Sequence, residues 1–174
     1  MSVDEIPLDF YFISHCKKKS KCFLSTKKIK KILLPSGGGP HAQAAEIYAG
    51  DLAKAMDGSL TAIRVVTDAS LSEEEQLEID AKLINTKTRI EEKCGLKVIT
   101  KLINHPRIEA AIIDESLAHD TVFIGATRKS MYHDVLFGTI PETLAKELNT
   151  NIIIVKHHLP VDAVWDQVVG KRND

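Results

Sequence analysis

Apolar and polar positions alternate along the chain in blocks with two periods. Ile32-Leu33-Leu34 is a short apolar run that breaks at Pro35-Ser36-Gly37-Gly38-Gly39-Pro40. Ala44, Ala45, Tyr48, Leu52 and Ala55 then recur at helical spacing, and Gly58 supplies a stop. Leu60 to Val66 reads as a second strand. Ser72 and Glu75 have capping-box spacing and open an acidic turn. Ile79, Leu83, Ile90 and Cys94 share one stripe of the helix that follows, and Gly95 closes it. Leu96 to Ile103 is a third strand, and Ile108, Ala111 and Ile112 carry a helix to about Ala118. Thr121 to Ile124 is a fourth strand. Thr139 and Glu142 form another capping box with Pro141 in the first turn; Ile140, Leu144, Ala145 and Leu148 make that helix's inner face. Asn151 to Lys156 is the fifth strand.

Short apolar strands separated by helices predict a parallel sheet covered on both faces. Right-handed crossovers then favour a three-layer, doubly wound α/β fold with five parallel strands. Ligands of such sheets sit at the carboxyl ends of the strands, where the winding reverses. Both glycine-containing loops, 36–39 and 125–138, fall at such ends. Residues 1–28 show no clean period and read as a tail, 29–158 as the domain, and 159–174 as a short C-terminal segment. In that segment Val161, Val164, Trp165 and Val168 have amphipathic helical spacing.

Charge sharpens this division. The chain has 174 residues, 44% of them hydrophobic, and a net charge of −1, which suits one domain with a substantial core. Residues 1–31 carry eight lysines against Asp4, Glu5 and Asp9, a surplus of +5 that leaves −6 on the rest. An acidic body argues against nucleic acid as a partner. Cys16, Cys22 and Cys94 are odd in number and lack metal-ligand spacing, which points to a reducing, cytoplasmic setting. The lysines of the tail, with Phe10-Tyr11-Phe12-Ile13 ahead of them, leave a peripheral attraction to anionic lipid open beside a plain solvated tail. Neither the scattered histidines nor any Ser/His/Asp or Cys/His arrangement defines a metal or catalytic centre; Cys94 reads as a core residue.

The segment that carries chemistry is Gly125-Ala-Thr-Arg128, nine residues, then Gly138-Thr139. Helix first-turn amides have no partner within the helix, and Gly138 leaves them approachable by an anion. Gly125-x2-Arg128-x9-Gly138-Thr139 resembles the nucleotide loop of the universal stress protein family, usually Gly-x2-Gly-x9-Gly-Ser/Thr. The resemblance runs over about residues 29–157 and implies the adenine nucleotide α-hydrolase-like fold of that family. It implies a regulatory domain that binds ATP or AMP, with Mg accompanying the nucleotide, and no catalysis beyond slow hydrolysis. Gly125, Gly138 and Thr139, with Ile140 beside them, match the phosphate loop; Pro35, Ser36 and Val66 would flank the base, with Gly37 and Gly38 allowing close approach.

Two positions depart from the family pattern. Ser36 stands in place of the aspartate common after the first strand, and Arg128 in place of the second glycine. The Arg128 guanidinium either binds a phosphate bidentately or fills the nucleotide's space. The wording around residues 125–142 also resembles stress-protein domains fused to amino-acid permeases and cation antiporters. That makes a ligand-free module associated with a membrane transporter the alternative. The Ser36-Gly37-Gly38 run is similar to the Ser-Gly-Gly-x-Asp-Ser loop of ATP pyrophosphatases, but Pro40 and His41 occupy the Asp and Ser places, which weighs against that enzyme activity. The resemblance further implies a homodimer through the fifth strand (Ile152, Ile153, Ile154, Val155), whose edge would otherwise present unpaired backbone groups.

Overall fold

The computed structural model describes residues 8–13, 29–68, 70–126 and 139–157. In chain order the elements are β1 (Leu8–Ile13), β2 (Lys31–Pro35), α1 (Pro40–Ala55), β3 (Ser59–Val66), α2 (Glu73–Cys94), β4 (Val98–Asn104), α3 (Ile108–Ser116), β5 (Thr121–Gly125), α4 (Thr139–Glu147) and β6 (Asn151–His157). The sheet order is β1-β6-β5-β2-β3-β4, parallel throughout except that β1 runs antiparallel to β6. The five parallel strands are those read from the sequence. Winding proceeds outward from β2 through β3 to β4, then returns to β5 on the other side. The reversal therefore lies between β2 and β5.

Period-two strands place their two rows of side chains in two separate cores. Ile32, Leu34, Leu60 and Ala62 pack with Ala45, Ala49 and Ala53 of α1 and Ile90 and Cys94 of α2. Leu33, Ile63, Val122 and Ile124 pack on the opposite face with Ile112 of α3 and Leu144 of α4. The inner stripe of α1 differs from the one expected. Alanines occupy its centre, while Ala44, Tyr48 and Leu52 lie at the margin and Ala55 is exposed. Small residues let α1 lie close on the sheet, and Gly50 brings α2 equally near: a Cβ there would sit 2.6 Å from Cys94 Sγ and 2.9 Å from Ile90 Cγ2. Cys94 is buried as expected; burial pushes its thiol up to about 11, and it donates to the Ile47 carbonyl at 3.6 Å.

The local signals around α2 hold. Ser72 Oγ accepts from the Glu75 N–H at 3.2 Å, and the Ser72 N–H donates to Glu75 Oε2 at 2.9 Å. Gly95 ends the helix at φ +68°. In α4, Thr139 is the first helical residue rather than the one before the helix.

The segment read as a tail contains an element. Leu8–Ile13 forms β1, pairing from Leu8 opposite His157 to Ile13 opposite Ile152. Its continuous apolar run lacks the alternation that marks a half-buried strand, so no period announced it. The consequence for assembly is a correction: the β6 edge, through which the homodimer was expected, is taken by the chain's own β1. The C-terminal amphipathic segment lies outside the described residues. Among the described residues no helix is long and apolar enough to cross a membrane.

Candidate functional site

A cavity of about 430 Å³ opens where the winding reverses. The end of β2 and its loop supply Pro35, Ser36, Gly37 and Gly39, and the first turn of α1 supplies Pro40, His41 and Ala42. The tip of β3 contributes Ile63, Arg64 and Val65, and β5 contributes Ile124, Gly125 and Ala126. Ile108 and Ile112 of α3 and Ile140 of α4 close the far wall. The wall is mostly apolar, and no carboxylate is among its described residues. No side chain caps α1, whose N-cap is Gly39, and its first turn holds no acidic residue. The starts of α1 and α4 thus meet at a cavity that suits an anion attached to an apolar body.

Of the residues expected at a site, Pro35, Ser36, Gly37, Gly125 and Ile140 come together in this wall. Gly38, Val66 and Thr139 are not part of it. Arg128 and Gly138 lie outside the described residues. Val66 is buried, and it is Val65 that lines the cavity. Successive strand residues point to opposite faces, and Val65 shares the face of Ile63. The alternation of β3 could have found Val65, because Leu60 and Ala62 belong to the other core.

Ser36 occupies the cavity wall but commits its hydroxyl elsewhere. Its Oγ donates to Glu46 Oε1 at 2.9 Å and lies 3.2 Å from Thr86 Oγ1, while its N–H donates to the Ile63 carbonyl at 2.9 Å. Glu46 is fully buried; it also accepts from Thr86 at 3.2 Å and pairs with Arg89 at 2.5 Å. The network ties the loop after β2 to both α1 and α2. Sequence spacing gave no sign of it, since Glu46 follows the apolar stripe by one residue.

Gly125 has a packing role distinct from any ligand contact. A Cβ there would press on the Ala42 amide nitrogen and stand 2.5 Å from the His41 carbonyl carbon. Both are backbone atoms, so α1 itself would have to move. Gly125→Ala is expected to lower stability by about 1–3 kcal/mol, measured as a fall in the urea midpoint at unchanged m-value. An unaltered midpoint would show that α1 is free to shift. Among the described residues no group of three His, Cys, Asp or Glu is placed to hold a metal ion.

A family model described as the universal stress protein family matches residues 28–156. Among solved structures, universal stress protein UspA from Lactobacillus plantarum is 20% identical with a TM-score of 0.63, covering 74% of this chain and 98% of its own. A universal stress protein in complex with cAMP is 17% identical with a TM-score of 0.64, covering 75% and 99%. The universal stress protein from Archaeoglobus fulgidus in complex with dAMP is 14% identical with a TM-score of 0.60, covering 74% and 98%. At these identities the structures establish the likeness of fold. No curated protein matches by sequence.

Proposed function

The chain belongs to the universal stress protein family, and from that premise we propose that it binds an adenine nucleotide in the switch-point cavity and acts through the occupancy of that site. The observation that carries this reading is the cavity: apolar walls from Pro35, Ile63, Val65 and Ile124, no carboxylate among the described lining, and the starts of two helices beside it. Apolar walls accommodate a base, and helix starts accommodate phosphate. Relatives of the same fold are complexes with cAMP and dAMP, which supports this ligand class. ATP or AMP as the particular ligand, Mg with it, and Gly138, Thr139 and Arg128 as phosphate contacts rest on the sequence resemblance. So does transporter association, whereas a cytoplasmic setting rests on the odd number and spacing of Cys16, Cys22 and Cys94. A homodimer through β6 belongs to this reading only with β1 displaced.

Calorimetric titration with AMP, cAMP and ATP tests the proposal. Saturable heat is expected at submillimolar nucleotide. Ile108→Trp, at the partly exposed rim, is expected to weaken binding at least tenfold while leaving the urea midpoint near wild type. Absence of heat for all three nucleotides at millimolar concentration would end the proposal.

A further inference from the structure

The glycine loop has a second side. Across it from the switch-point cavity lies another cavity, of about 290 Å³, between the loop, the tip of β3 and α2. Gly37 and Arg64 belong to both walls. Lys82, Asn85, Thr86 and Arg89 enter the second one from α2 at i, i+3, i+4 and i+7, a single polar stripe beside the apolar one.

Three cations face this space, and they are differently engaged. Arg89 is held by the fully buried Glu46, so it is not available for exchange. Lys82 pairs at 2.5 Å with Glu78, whose side chain is 66% exposed; water-exposed pairs of this kind are weak and easily traded. Arg64 has no hydrogen bond or ion pair among the described residues. It shares a field with Lys82: the Lys82 hydrogen bond chiefly holds the Glu78 carboxyl below its usual range, and Arg64 adds a smaller pull. The loop opposite is bare backbone. Gly38 sits at φ +84°, where a side chain would be strained, and a Cβ on it would stand 4.0 Å from an Arg64 guanidinium nitrogen. A Cβ on Gly37 would meet nothing within 4 Å.

We infer that this second cavity is a phosphate site, with Arg64 and Lys82 as its charged ligands and the Gly37-Gly38 backbone as its opposite wall. A guanidinium with no hydrogen bond or ion pair among the described residues offers two parallel N–H donors to an oxyanion. A dianion draws Lys82 from Glu78, which returns to water. The space exceeds one phosphate group, so the phosphate belongs to a larger molecule. It is either a separate phosphorylated compound or the distal phosphates of a nucleotide seated next door, reaching past Gly37.

Inorganic pyrophosphate is the probe, because it has no base to occupy the apolar cavity. Titrated into the full chain at low ionic strength, it is expected to bind saturably and to shift the amide resonances of residues 37–38 and 82–89. Arg64→Gln should weaken binding at least tenfold and Lys82→Gln severalfold, with Lys146→Gln, an exposed cation on α4, at wild-type affinity. Lys82 is exposed, so its variant remains informative if Arg64→Gln fails to fold. No saturable binding, or binding indifferent to both substitutions, overturns the inference. ATP competing with pyrophosphate, and losing affinity in Lys82→Gln while AMP does not, identifies a nucleotide tail, because Lys82 lines only the second cavity. Simultaneous binding of ATP and pyrophosphate identifies a separate compound. Heat with AMP but none with pyrophosphate defeats this site alone; heat with pyrophosphate but none with AMP, cAMP or ATP defeats only the nucleotide reading.

Discussion

Replacing Arg89 with alanine is expected to destabilise the protein by about 3–5 kcal/mol, the usual consequence of leaving a buried charge without its partner. The Glu46 side chain is fully buried, whereas that of Arg89 is 31% exposed, and this asymmetry decides the ranking of variants. Without Arg89, the carboxylate keeps the hydroxyls of Ser36 and Thr86 but has lost its countercharge. Glu46→Gln keeps an acceptor for both hydroxyls and leaves Arg89 a path to water, so a loss of about 1–2 kcal/mol is expected. The double replacement Glu46→Leu with Arg89→Met removes the charges together and should recover much of the Arg89→Ala deficit. Urea unfolding of the four proteins measures the series. An Arg89→Ala cost below about 1 kcal/mol, the range of exposed pairs, would show that the network is incidental. Because Ser36 begins the glycine loop, the same variant should also loosen the wall shared by the two cavities.

Much of this architecture could be read from residue order, for identifiable reasons. Ser72, Glu75 and Gly95 act through their own backbone neighbourhood, so three or four residues of sequence suffice to place the ends of α2. The parallel strands and the reversal between β2 and β5 follow from period and handedness, which put Pro35 and Gly125 at the same end of the sheet. Long-range pairing is where sequence falls short. Nothing near Glu46 announces Arg89, 43 positions away, and a carboxylate one step off the apolar stripe looks like a helix surface. Val66 and Val65 differ by one residue, and one residue reverses the face of a strand. Gly125 was legible as a special position, but its neighbour turns out to be the backbone of α1. β1 was least legible of all, because its partner lies at the far end of the chain.

Deletion of residues 1–28 is expected to convert a monomer into a dimer. β1 pairs with β6 along six residues, so removing it exposes a row of backbone donors and acceptors beside Ile152, Ile154 and Val155, all fully buried in the intact sheet. An open apolar edge recruits another strand. A second β6 is suited to the place, since antiparallel pairing across a two-fold lets one strand serve as its own complement, and β1 already pairs in that sense. Light scattering at micromolar concentration should give the mass of one chain for the full-length protein and of two for the truncated one. Ile153→Lys in the truncated background puts a charge on the exposed edge strand and should restore the single-chain mass. If the full-length protein is already a dimer that truncation leaves unchanged, β1 does not guard this edge; if the truncated protein stays a monomer, the edge is not self-complementary.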